Sequence, residues 1–312
     1  MATLTTDDGI KLYYEQTGEG TPIVFVHEFA GDHRSWEPQV RHFSRRYRCV
    51  TFNARGYQPS DVPGEVARYS PERWCEDVRC VLDALELPAA HIVGISMGAF
   101  AVLQYGIRYC SKLAPARALS LTLAACGTGS HPALHAKSAQ DALVVGARIR
   151  REGVAQLSET YRRAPARVQF RNKDPRAFEE ALRQLSEHCA VGLSNTMTGY
   201  LAQRPSLYDL ADAMSSIDVP VLVMAGDEDE ACLEPSLLLK RTIPKSGLVM
   251  LPRSGHVINL EEPALFNQLV DHFFHSVEAG RWLARDPDAA CPSIYGPGGK
   301  PQPPAQAVSP LG

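Results

Sequence analysis

No stretch of the 312-residue sequence approaches the roughly 18 uninterrupted apolar residues that suggest a membrane-spanning helix, so no membrane partner is expected. The N-terminus, MATLTTDDGI, has neither the basic start nor the apolar stretch of a secretory signal. The mature protein is therefore expected to begin there, with the cytoplasm as its compartment. Eight cysteines are scattered along the chain (49, 75, 80, 110, 126, 189, 232 and 291), without the C-x-x-C pairing of a zinc site or a compact secreted framework. They are read as mostly buried thiols. The formal charge is only −3, which argues against the broad basic surface a nucleic-acid partner would need. There is no internal repeat.

What is present is ordinary globular composition. Hydrophobic residues make up 45% and charged residues 21%, which leaves wholesale disorder and coiled coils aside and predicts a sizeable buried core. Asp7-Asp8-Gly9 between two short runs, 4–6 and 11–16, predicts a β-hairpin, because Asp-Gly suits the positive φ of a tight turn. Continuous apolar runs at 23–26, 48–52, 91–95, 119–124, 219–224 and 247–251 predict strands buried on both faces. Amphipathic patterns at 37–47, 71–87, 97–109 and 263–277 alternate with them, so the fold class is α/β with a mostly parallel central sheet.

Between the strand ending near 125 and that starting near 219, only helical patterns occur, at 139–151, 154–163 and 175–189. The expected organisation is a core of 1–128 and 216–282, a helical cap insertion of 129–215, and a flexible Pro/Gly-rich tail of 283–312. The Gly-Gly-Lys in that tail has no preceding strand and lacks the first glycine of a phosphate loop.

The strongest local signal is Gly94-Ile95-Ser96-Met97-Gly98 between a strand and a helix. Such a turn is so sharp that residues two before and two after the serine must be small. It would lift the Ser96 hydroxyl above the sheet and leave the Met97 amide at a helix N-terminus, where it can stabilise an oxyanion. A serine hydroxyl is a poor nucleophile without a base, and the base needs an orienting acid. Acids follow the 219–224 strand at Asp227, Glu228, Asp229 and Glu230, and Ser254-Gly255-His256 follows the next strand. The order serine, acid, histidine matches the requirement.

On these motifs the chain resembles the α/β-hydrolase superfamily, in particular its capped esterases, enol-lactonases, carbon-carbon hydrolases and haloperoxidase-like enzymes. The likeness covers about residues 10–128 and 217–278, and it includes the histidine loop from Gly255 to Pro263 and the loop from Asn53 to Asp61. It implies an α/β-hydrolase fold with an inserted helical cap. It selects Asp229 as the acid, and it places the second oxyanion amide on Phe29 in the segment His27-Glu28-Phe29-Ala30-Gly31. Glu28 stands where the family usually has glycine, and Asn53 where aspartate is commoner.

Two readings of Glu28 are open: it points away and pairs with a surface arginine, or it lines the cavity and orders water or a polar substrate group. His27 is read as a packing and hydrogen-bonding residue. Leu143, Val144, Met197 and Tyr200 are candidate pocket residues, with the cap's own core as the alternative role. Arg148, Arg150, Arg151, Arg162, Arg163, Arg167 and Arg171 make the cap basic, mostly as a solvated face, although one of them could read a substrate carboxylate. His131 with His135, and His272 with His275, lack a third ligand.

The expected activity is hydrolysis of a small or medium carboxylic ester through an acyl-enzyme on Ser96, His256 and Asp229. Enol-lactone hydrolysis, carbon-carbon bond hydrolysis, perhydrolysis and a non-catalytic receptor on the same fold are the alternatives. No cofactor and no metal are expected. The expected partner is a small-molecule ester substrate, and a homo-oligomer is left open.

Overall fold

A computed structural model describes residues 2–111 and 116–290. Eight strands form one sheet in the order β1-β2-β4-β3-β5-β6-β7-β8. They are β1 (Thr3–Thr5), β2 (Lys11–Thr17), β3 (Thr21–Val26), β4 (Tyr47–Phe52), β5 (Ala90–Ile95), β6 (Ala118–Ala124), β7 (Val221–Gly226) and β8 (Ser246–Leu251). The β1–β2 hairpin and the β2–β4 pair are antiparallel, and every other pair is parallel. Every residue of β5 and β7 is buried, which is why those strands read as continuous apolar runs.

Helices cover both faces. In chain order they are α1 (Glu37–Phe43), α2 (Pro71–Ala84), α3 (Met97–Tyr109), α4 (Pro132–Glu152), α5 (Val154–Arg162), α6 (Val168–Lys173), α7 (Pro175–Ser186), α8 (Ala190–Asn195), α9 (Ala211–Met214), α10 (Glu230–Thr242), α11 (Ile258–Glu261) and α12 (Pro263–Glu278). The first helix stops at Phe43 rather than running to 47, because Tyr47 is already the first residue of β4. The first insertion helix starts at Pro132, seven residues before the apolar pattern begins, because proline suits a first helical turn and His131 caps it through Ala133 N–H. Helix α10 carries an internal Pro235 and has no counterpart among the predicted helices. Strand β7 begins at Val221, not 219, since Pro220 cannot donate to the ladder.

Chain order reverses at β3, which lies between β4 and β5. In open α/β sheets the crevice at such a switch point, beyond the carboxyl ends of the strands, is where ligands bind. The loops leaving β3, β5, β7 and β8 all emerge there. The helices α4 to α8 sit between β6 and β7 in the chain, as the sequence pattern anticipates, and α4 packs on α8 while α5 packs on α7. Of the predicted tail, residues 291–312 lie outside the described residues. Just before it, Trp282 donates its indole N–H to the Lys245 carbonyl (2.8 Å) and covers Gly247 on the edge strand. Six of the cysteines are buried thiols, Cys189 is half-buried, and Cys291 is not among the described residues.

Candidate active site

Ser96 terminates β5 and caps α3 with φ 54° and ψ −115°, a left-handed conformation unusual for a residue with a β-carbon. The flanking glycines are required by contact distance. A β-carbon on Gly94 would sit 2.6 Å from the Gly98 carbonyl oxygen, and one on Gly98 would sit 2.2 Å from that of Val26. The Ser96 amide donates to the Ala124 carbonyl (2.8 Å), which ties the turn to β6.

Asp229 follows β7 at the start of α10, and His256 lies in the loop after β8. The Ser96 hydroxyl is 2.7 Å from His256 Nε2, and His256 Nδ1 is 2.7 Å from Asp229 Oδ2. With Nδ1–H donating to the carboxylate, Nε2 is free to accept the serine proton. Among the four neighbouring acids only Asp229 is buried. Asp227 instead accepts from the Ser254 amide, and Glu228 from the Gln169 side chain (2.6 Å). Burial works to raise the Asp229 pKa, but His256 and the neighbouring Cys232 thiol outweigh it, so the carboxyl is held below its ordinary value. The histidine loop is itself clamped. Glu261 accepts from the Gly255 and Val257 amides (2.6 and 3.1 Å), and the His256 amide donates to the Ala166 carbonyl of the insertion (3.1 Å).

The Phe29 and Met97 amides donate to no other backbone group among the described residues. Their carbonyls are held in matching fashion: Tyr57 donates to the Phe29 oxygen (3.0 Å) and Tyr200 to the Met97 oxygen (2.8 Å). His27 has a fixed tautomer, with Nδ1 2.8 Å from the Glu28 carbonyl oxygen and Nε2 accepting from the Ala54 amide (3.1 Å). It is a packing residue, stacked edge-on against Tyr57 and Trp74.

Glu28 combines the two sequence readings and changes one of them. It pairs with an arginine, but the partner is the buried Arg167, whose Nη2 lies 3.0 Å from both carboxylate oxygens. Arg167 is therefore no part of a solvated face, and its guanidinium also stacks 5.1 Å from the Tyr161 ring centroid. Glu28, Arg167 and Tyr161 line a cavity of about 360 Å³ that is also lined by Ser96 and His256. The same three residues line a neighbouring cavity of about 580 Å³, so the ion pair forms part of the wall between the two. Burial would raise the Glu28 carboxyl, yet Arg167 and His256 hold it below its ordinary value.

The other predicted pocket residues divide. Met197 lines the cavity that holds Ser96 and His256. Leu143 and Val144 do not: both are exposed, and α4 instead turns Ser138, Asp141, Ala142 and Val145 inward, the i, i+3, i+4, i+7 face. Tyr200 is fully buried behind the Met97 carbonyl and not in the cavity. Its position depends on a single π turn, Thr196–Tyr200, which continues α8. Among the remaining arginines, Arg148 and Arg151 pair with Glu152, Arg162 with Glu179, and Arg150 donates to Asn195 (2.9 Å). His131 faces Glu234 (3.3 Å).

Residues 21–263 match the alpha/beta hydrolase fold family. A 3-oxoadipate enol-lactonase of Acinetobacter baylyi is 28% identical over 278 residues, which covers 88% of this chain and 97% of the relative. Among solved structures, a thermophilic esterase from Thermogutta terrifontis superimposes with a TM-score of 0.77 at 26% identity, covering 88% of this chain and 98% of that one. An enol-lactonase from Burkholderia xenovorans, at 21% identity and TM-score 0.74, shares the fold.

Proposed function

The chain belongs to the alpha/beta hydrolase fold family, and from that premise we propose that it cleaves small or medium carboxylic esters through an acyl-enzyme on Ser96. The observation that carries this reading is the continuous relay Ser96 Oγ, His256 Nε2 and Nδ1, Asp229 Oδ2, with both links at 2.7 Å. Ser96 Oγ attacks the ester carbonyl carbon while its proton passes to His256 Nε2. Charge moves onto the carbonyl oxygen, where the Phe29 and Met97 amides receive it, each such donor contributing about 3 kcal/mol. His256 then returns the proton to the departing alkoxide, the C–O bond breaks, and the acyl group remains on Ser96. Water, deprotonated by His256, reverses the sequence and releases the acid. Asp229 orients the imidazole and stabilises its charged form without taking the proton.

Helices α4 to α8 are proposed to act as a cap that walls the cavity from above. Cyclic esters are a second substrate reading, favoured by the enol-lactonase relative. A lactone opens by the same steps, with the leaving alkoxide tethered to the acyl group. The test is covalent labelling by a fluorophosphonate probe, with turnover of p-nitrophenyl esters and lactones measured alongside. Labelling and turnover are both expected, and both are lost in Ser96→Ala. A Ser96→Ala protein that retains ester turnover refutes the assignment.

A further inference from the structure

Resting on that reading of Ser96, we propose that Arg204 is a carboxylate-binding residue of the catalytic cavity, and that the substrate is an ester or lactone bearing a carboxylate. Arg204 follows the short turn Leu201–Gln203 and lines the cavity together with Ser96, Met97 and His256. Its guanidinium is held on two sides. It lies over the Phe100 ring, 5.3 Å from the centroid, and Nη2 donates to the Thr128 carbonyl (3.1 Å). Phe100 is fully buried, three residues after Met97 on α3, so the cation is braced against the helix that carries one oxyanion amide. The ring contact and the hydrogen bond restrain the guanidinium and leave its remaining N–H donors for a ligand.

The charge balance of the cavity singles this residue out. Arg167 is cancelled by Glu28 at 3.0 Å, and Asp229 is engaged by His256 at 2.7 Å. Asp141 also lines the cavity, but it is largely exposed and pairs with Lys137 (2.6 Å). Arg204 makes no ion pair within 4.0 Å among the described residues. A planar, oriented guanidinium without a counter-ion, in a half-enclosed cavity, matches the geometry of a carboxylate accepting two parallel N–H bonds. The cap arginines that the sequence offers for this task are consumed elsewhere or face solvent. Arg204 was missed because an isolated Arg-Pro after a turn carries no pattern.

Two ester pairs, each differing by one carboxylate, decide the proposal. Mono-p-nitrophenyl glutarate is compared with p-nitrophenyl pentanoate, and 4-acetoxybenzoate with phenyl acetate, so the carboxylate lies on the acyl side in one pair and the alcohol side in the other. For at least one pair the wild-type kcat/KM is expected to favour the anionic ester. Arg204→Gln is expected to lower that anionic-to-neutral ratio about tenfold, mainly through KM, with partial recovery in Arg204→Lys, which keeps the charge but loses the fork. The ratio is internal to each protein, so a general loss of folded enzyme does not imitate the effect. A ratio that changes less than about threefold in both pairs overturns the proposal, because that is what a screened surface charge would give. Calorimetric titration of 4-acetoxybenzoate into Ser96→Ala, with and without Arg204→Gln, reads binding without turnover. If the wild type turns over none of the four esters, the ester-hydrolase reading fails, and the titration still decides Arg204.

Discussion

Replacing Arg167 with methionine strips the Glu28 carboxylate of its counter-charge at the wall of the cavity that holds Ser96. In the folded protein one arginine nitrogen lies 3.0 Å from both carboxylate oxygens, and both side chains are less than a tenth exposed. At that distance and an effective dielectric constant near 20 the attraction is about 5 kcal/mol, a gross figure that desolvation of the two ions largely offsets. The asymmetry gives the prediction. Arg167→Met leaves Glu28 with one backbone donor, Ala30 N–H at 3.1 Å, and should cost about 3–5 kcal/mol. Glu28→Met leaves a buried guanidinium and should cost a similar amount. The double replacement removes both charges at similar volume and should lie within about 1 kcal/mol of the wild type. Urea unfolding followed by tryptophan fluorescence measures all four corners of this cycle.

The pH dependence separates charge from packing. In the wild type the Glu28 carboxyl is held below its ordinary value, so its contribution is present above the unfolded pKa and is lost as pH falls through the folded one. In Arg167→Met burial is left to dominate and the carboxyl moves up. The penalty then grows with rising pH and disappears in acid. Single replacements that each cost under about 1 kcal/mol, or a double that costs their sum, would refute the argument.

Asp229→Asn preserves the hydrogen-bonding distance but favours the wrong histidine tautomer, so kcat for a neutral ester should fall about 10³- to 10⁴-fold with the fold retained by circular dichroism. Gly98→Ala places a β-carbon 2.2 Å from the Val26 carbonyl and 2.6 Å from that of His27. Strand β3 must shift, which should cost about 2–3 kcal/mol in urea unfolding and lower kcat by moving Phe29. Burial holds His91 down to about 3 and His27 to about 4. Below the ordinary histidine value the unfolded chain binds protons that the folded one refuses, so stability falls from pH 6.5 to 5 by up to about 2 kcal/mol per histidine. Burial lowers His188 in the same sense, so His91→Gln should remove about a third of that slope, and an unchanged slope would rule out the buried imidazole as a cause.

The chemistry of the site was legible in the linear chain because each part is short-range. The elbow needs two glycines at fixed offsets from Ser96, and the acid and histidine each follow an apolar strand within a few residues. Strand identity was equally local, since β5 and β7 are buried on both faces and read as unbroken apolar runs. Helix ends were less so: α1 yields to β4 at Tyr47 because the strand pairs with β3, a contact invisible in a window of neighbours. The choice of Leu143 and Val144 failed on phase, as hydrophobicity alone does not say which side of α4 faces the cavity.

What only the tertiary structure decided are the pairings between distant residues: Glu28 with Arg167, 139 positions apart, Tyr200 with the Met97 carbonyl, 103 apart, and Arg204 braced on Phe100. Such contacts depend on where the insertion folds back over the sheet. Charge and aromatic character are common along the chain, and burial alone turns them into a wall, a brace or an uncompensated cation. The sequence by itself determined the proposed reaction centre, through backbone geometry that few residues tolerate. The shape and charge of the space above that centre followed from packing.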